Sequence, residues 1–179
     1  MVLNEKHNWD MGFIKHPWWQ GHRDLSYITE EFNDDVSLDE WRNLGYTQTR
    51  FTGDMYDMRN LEPTWIDTFR EIFPWKHFCW SVYRMPPGTV LPNHADTYQR
   101  FREIYQIDDP NTIFRAVVFL EDWESGHYFE IDNSPVTEWC AGEYVMWQND
   151  VFHLAANMGK TNRYTLQITG IPDEDPFVQ

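Results

Sequence analysis

Residues 141–170 read AGEYVMWQNDVFHLAANMGKTNRYTLQITG. Three short runs in this stretch, at 143–147, 151–155 and 163–169, are rich in β-branched and aromatic residues. Asn149-Asp150 and Gly159 separate them. Short runs of this kind bounded by turn residues form β-strands. In the last run Arg163, Thr165, Gln167 and Thr169 fall on one face, and Tyr164, Leu166 and Ile168 on the other. That is the period of two expected of a strand.

The same texture extends upstream. IFRAVVFL at 113–120 is a β-branched apolar run, and further strands are expected at 127–131 and 136–139, with turns at Gly126, Asn133-Ser134-Pro135 and Gly142. The aromatic stretch 77–85 alternates in part and stops at the turn Pro86-Pro87-Gly88. Many short strands with regular turns indicate a sandwich, a jelly roll or a barrel. Before residue 76 the chain reads as helices and loops. Residues 1–36 show no period. Ser37-Leu38-Asp39-Glu40 is a capping box ahead of Trp41 and Leu44, which predicts a short helix. Pro63 opens a second helix with Trp65, Phe69, Ile72 and Phe73 on one apolar face, and Pro74 ends it. The expectation is one mainly β domain, with a helical and loop layer over 1–75 and a β core over 76–179.

Composition narrows the partners. The formal net charge of −15 repels phosphate backbones and anionic bilayers, so neither nucleic acid nor membrane is expected as a partner. The 10 Trp, 12 Phe and 9 Tyr supply the material for a large aromatic core. Cys79 and Cys140 each neighbour a tryptophan and have no metal-type spacing, so buried free thiols are expected. The N-terminus lacks a charged start followed by an apolar run, and no apolar stretch is long enough to span a bilayer, so a cytoplasmic protein is expected.

The chemistry concentrates in Pro92-Asn93-His94-Ala95-Asp96. Side chains at i and i+2 of an extended segment share a face, so His94 and Asp96 can serve one ion. Two histidines and one carboxylate on one face of an octahedron form the non-haem iron(II) arrangement. His153, after the turn Gln148-Asn149-Asp150, is the candidate for the second histidine. A His-x-acid triplet alone is weak evidence: 7 His and 29 acidic residues produce about one by chance. His22-Arg23-Asp24 is such a triplet, and it lies outside any β pattern. His127 and Glu130 are three apart on a strand and face opposite ways. Arg163 gives His94-x-Asp96 its context. A guanidinium in a β core is costly unless it meets an anion, and a carboxylate is its natural partner, with Thr165 placed to add a hydroxyl.

In this order the motifs resemble the aspartyl/asparaginyl β-hydroxylases and, more broadly, the double-stranded β-helix (jelly roll, cupin-like) 2-oxoglutarate oxygenases. The matching pieces are PPGTVLPNHAD, FRAVVFLEDW and the stretch from 141 to 170. The resemblance covers roughly the C-terminal half of the chain. It implies an Fe(II)- and 2-oxoglutarate-dependent dioxygenase that consumes O2, with ascorbate as a supporting reductant, and a substrate that is a small molecule or a peptide side chain. His94, Asp96 and His153 would hold iron. Arg163 would bind the distal carboxylate of 2-oxoglutarate, with Arg115 as a second basic contact and Thr165, Tyr83 or Tyr98 as helpers. Animal members of the group carry glycine at the position of Asp96, which makes an aspartyl substrate less certain here. Two rivals stand beside this reading: a cupin-type metal enzyme that does not use 2-oxoglutarate, and a non-catalytic jelly-roll binding module.

Overall fold

The computed structural model describes residues 8–15, 19–29, 35–47 and 49–177. Eleven strands and three α-helices are assigned among them: β1 (Trp9–Phe13), β2 (Ile28–Thr29), α1 (Asp35–Asn43), β3 (Asp54–Asp57), α2 (Ile66–Ile72), β4 (Lys76–Met85), β5 (Thr89–His94), α3 (Gln99–Tyr105), β6 (Phe114–Phe119), β7 (His127–Ile131), β8 (Ser134–Val136), β9 (Glu143–Gln148), β10 (His153–Asn157) and β11 (Arg163–Ile171). They form two sheets, one of seven strands in the order β1-β9-β6-β11-β4-β3-β2 and one of four in the order β5-β10-β7-β8. Every pairing between these strands is antiparallel. The two sheets face each other as a jelly roll.

Strand periodicity explains the layering. On the large sheet Tyr83, Met85, Val117, Phe119, Val145 and Trp147 point inward, where they meet Phe129, Ile131, Val136 and Ala155 of the small sheet. The alternate residues Trp80, Val82, Phe114, Ala116, Val118, Tyr164, Leu166 and Ile168 point the other way. There they pack on Trp65, Ile66, Phe69 and Phe73 from α2 and its flanks, and on Trp19. The large sheet is therefore buried on both faces, which is why β6 reads as a continuous apolar run. Trp19 belongs to this core, its indole N–H donating to the Leu120 carbonyl at 2.9 Å. The neighbouring His16, Pro17 and Trp18 lie outside the described residues.

Several expectations change. The N-terminal third is not only helix and loop, because β1, β2 and β3 extend the large sheet at both edges. They are short and, in β1 and β2, largely exposed, so they carry no clear alternation. α1 already includes Asp35, so Ser37 sits within its first turn instead of preceding it. α2 buries Ile66 and Phe69, but Ile72 is exposed. The strand expected at 136–139 occupies Ser134–Val136 instead, because Glu138 adopts φ 59° and breaks the extended chain. Trp139 then turns inward and stacks on Phe119 (centroids 4.1 Å apart), while the next residue, Cys140, turns out and is exposed. Cys79 is half-buried. No helix among the described residues is long and apolar enough to cross a membrane.

Candidate metal centre

The site is built where β5 and β10 pair. His94 closes β5, His153 opens β10, and the two are register partners. The register slips between His153 and Ala155: the three residues from His153 to Ala155 on β10 oppose the four from Leu91 to His94 on β5. This bulge accommodates Pro92, which cannot donate to a ladder and is tolerated on the edge strand that β5 is. It brings the two imidazoles together, with ring centroids 4.4 Å apart.

Each ring is oriented by the same device. His94 Nδ1 lies 2.8 Å from the Pro92 carbonyl, and His153 Nδ1 lies 3.1 Å from the Val151 carbonyl. A carbonyl only accepts, so both Nδ1 atoms carry a proton, which leaves Nε2 as the nitrogen able to bind a metal in the neutral ring. A metal-ligating histidine is normally held this way by its other ring nitrogen. Burial pulls the His153 pKa down to about 4, so its imidazole is neutral at pH 7. Both rings are buried against aromatic walls. Trp147 packs on His153 at a tilt, with centroids 4.6 Å apart, and Trp41 from α1 meets His94 edge-on at 5.6 Å.

Asp96 lies in the loop after β5, not on the strand, because β5 ends at His94. It reaches the same point nonetheless: one ligand atom from each of His94, Asp96 and His153 lies within 4.8 Å of the others. Asp96 Oδ2 is 3.9 Å from His153 Nε2 and 3.2 Å from Arg115 Nε. Burial alone would raise the Asp96 pKa. Arg115 and the two imidazoles outweigh that and hold the carboxyl below its usual range. Oδ2 is buried and makes no well-formed hydrogen bond. Two Nε2 lone pairs and an unsatisfied carboxylate oxygen at this spacing suit a divalent cation. His22-Arg23-Asp24 forms a 3₁₀ turn instead, whose His22 and Arg23 both hold Glu121. His127 points inward from β7, next to the Thr161 carbonyl, and Glu130 faces the other way.

Arg163 begins β11 on the inner face and is 4% exposed. Its Nη1 donates to the Tyr128 carbonyl at 2.7 Å, Nε makes no hydrogen bond, and no carboxylate among the described residues forms an ion pair with it. Burial lowers its pKa to about 10. A protein carboxylate, the ordinary partner for such a group, is therefore missing among the described residues. The side chain lies level with Asn157, whose Nδ2 donates to the carbonyl of Met85, the register partner of Arg163. Asn157 is four residues along β10 from His153, about 13 Å at strand rise. Thr165 is buried beside it on the same face.

The other expected cosubstrate contacts are placed differently. Arg115 pairs with Asp96 and donates through Nη1 to Gln167 Oε1 at 2.9 Å, which places it beside the three candidate ligands. The Tyr83 hydroxyl accepts a hydrogen bond from the Gly53 N–H. Only Gly fits there, since a Cβ would strike the Arg84 carbonyl. Tyr98 is buried with its ring under the Arg115 guanidinium (5.4 Å), and its hydroxyl makes no well-formed hydrogen bond. Phe152, next to His153 in sequence, is exposed, whereas Trp147 packs on the His153 ring. Arg102 caps α3 through the Ile107 and Asp108 carbonyls. Trp41 was not legible as a site residue. Its only signal was its place in a helix well separated in sequence from the ligands.

No protein-family model matches the chain, and no curated protein matches it. Solved structures do. A Pseudomonas putida prolyl-4-hydroxylase matches with TM-score 0.59 at 15% identity, covering 94% of each chain. A cupin protein from Bacteroides fragilis matches with TM-score 0.41 at 10% identity, over 84% of this chain and 88% of that one. The Schizosaccharomyces pombe Cnp3 cupin domain matches with TM-score 0.40 at 11% identity, over 66% and 64%. At such identities the likeness concerns architecture. The likeness to the prolyl-4-hydroxylase, with the two facing antiparallel sheets, supports a jelly-roll architecture.

Proposed function

We propose that this chain is an Fe(II)- and 2-oxoglutarate-dependent dioxygenase that hydroxylates an amino-acid side chain or a related small substrate, in the manner of the aspartyl/asparaginyl β-hydroxylases. The single observation that carries the reading is a pair of unmet needs in one barrel. His94, Asp96 and His153 bring three ligand atoms within 4.8 Å of one another, and the buried Arg163 guanidinium has no carboxylate partner among the described residues. A metal chelated by a dicarboxylate meets both. The P. putida prolyl-4-hydroxylase is compatible, being a side-chain hydroxylase on the same fold.

Iron(II) with 2-oxoglutarate and O2, when bound, supplies the oxidising chemistry, with succinate and carbon dioxide as by-products. The chain supplies the geometry. His94 and His153 present their Nε2 atoms, each ring held through Nδ1 by a backbone carbonyl, and Asp96 contributes the negative charge. Arg163, with Thr165 beside it, anchors the far carboxylate and thereby sets how the near end meets the metal. Trp41 and Trp147 wall the imidazoles from water. The test is succinate formation from 2-oxoglutarate by purified protein with iron(II) and ascorbate. Turnover even without a prime substrate is expected, and it should be lost in His153→Ala. Bound iron with no succinate formed would favour the cupin-type metal enzyme instead.

A further inference from the structure

Resting on the metal-centre reading, we propose that Arg115 is a latch on the metal-binding carboxylate: in the metal-free protein its guanidinium holds Asp96 Oδ2, and an incoming cation must compete for that oxygen. One atom faces two claimants. Asp96 Oδ2 is 3.2 Å from Arg115 Nε and 3.9 Å from His153 Nε2. Neither Oδ2 nor the Arg115 Nε makes a well-aligned hydrogen bond, so their attraction is chiefly Coulombic, and the Tyr98 hydroxyl lies close enough to interact with both side chains.

The guanidinium itself stays in place when the carboxylate turns. Nη1 is tied to Gln167 Oε1 on the neighbouring strand, and the Tyr98 ring lies beneath Cζ. Arg115 and Asp96 keep about a fifth of their side-chain exposure, so the pair is largely shielded from solvent. Without metal the pair is neutral. With a divalent cation bound, a fixed positive charge stands next to it in a poorly screened site, where like charges repel strongly. Arg115 is thus a positioning residue. It balances the charge of a buried carboxylate and aims it in the metal-free protein, and it sets the affinity for metal below what the three ligands alone provide.

The experiment measures Mn(II) affinity by electron paramagnetic resonance on the full chain, as wild type, Arg115→Gln and Arg115→Lys, with thermal melts of each. Relieving a like-charge repulsion tightens binding about tenfold for each 1.4 kcal/mol removed. Arg115→Gln should therefore tighten Mn(II) binding about tenfold. It should also melt lower than wild type without metal and regain more on adding it. Arg115→Lys retains the charge and should stay within about threefold of wild type. Unchanged or weaker Mn(II) binding by Arg115→Gln overturns the latch while leaving the metal centre standing. Failure of wild type to bind Mn(II) at all overturns both. Should Arg115→Gln not fold, wild-type protein decides. The Arg115 Nε–H resonance, assigned by its loss in Arg115→Lys, must shift when diamagnetic Zn(II) saturates the site, and an unmoved resonance refutes the latch.

Discussion

Replacing Arg163 with Met should make the protein more stable and at the same time blind to 2-oxoglutarate. The guanidinium is 4% exposed and has no anionic partner among the described residues. Burial depresses its pKa from 12.5 to about 10. At pH 7 the group is charged in both folded and unfolded chains, so the shift measures a cost of roughly 3 kcal/mol carried by the folded state. Against that stands the bond from Nη1 to the Tyr128 carbonyl, worth about 1–1.5 kcal/mol. The net expected gain is about 1–2 kcal/mol, or roughly 3–6 °C in Tm for a chain of this size. The assay is thermal unfolding of wild type and Arg163→Met, each with and without 2-oxoglutarate in the presence of Mn(II). Wild type should melt higher with the dicarboxylate, because a ligand of the native state raises apparent stability. Arg163→Met should start higher and not respond. A variant that loses 2 kcal/mol or more, yet still gains stability from 2-oxoglutarate, would refute the claim that Arg163 awaits an external carboxylate.

Three further outcomes follow. His153 is neutral when folded, with its pKa lowered to about 4 against 6.5 unfolded, so the unfolded chain takes up the proton first as pH falls. Stability of the metal-free protein should therefore drop by up to about 3 kcal/mol between roughly pH 6.5 and 4, and denaturant melts of His153→Phe should show a shallower pH dependence. Asp96→Ala should weaken Mn(II) binding at least about 100-fold, since it removes a ligand outright. It should also cost about 3 kcal/mol of stability by leaving Arg115 without its anion; unchanged metal affinity in a titration would remove Asp96 from the ligand set. Trp41→Ala opens a large cavity against Phe51 and the His94 ring, and should cost about 3–5 kcal/mol in chemical denaturation while loosening the metal.

The parts legible in the sequence were those whose physics is local. The alternation in β11 placed Arg163, Thr165, Gln167 and Thr169 on one face, and the structure turns that face inward. Turn residues bounded β7 and β9 to within a residue. His94, Asp96 and His153 could be named because few residue types bind iron and one extended segment can offer two of them. What escaped depends on long-range pairing. β1, β2 and β3 exist because an edge of the large sheet accepts them, not because Trp9–Phe13 or Asp54–Asp57 has a strong strand pattern. Arg115 is a cosubstrate contact by resemblance alone, and its ion-pair partner Asp96 comes from a loop whose path no local pattern reveals. Cys140 was misplaced for a similar reason: its tryptophan neighbour is buried, and a single positive-φ residue upstream sends the following chain outward.

The central claim is that three side chains hold one divalent metal whose remaining positions accept a dicarboxylate anchored by Arg163. Anaerobic titration of the purified protein with iron(II) and then 2-oxoglutarate, followed by visible absorption, tests it most directly. The account predicts a charge-transfer band that saturates at one iron and one 2-oxoglutarate per chain and is absent in His153→Ala. A folded protein that develops no band with both present would contradict it.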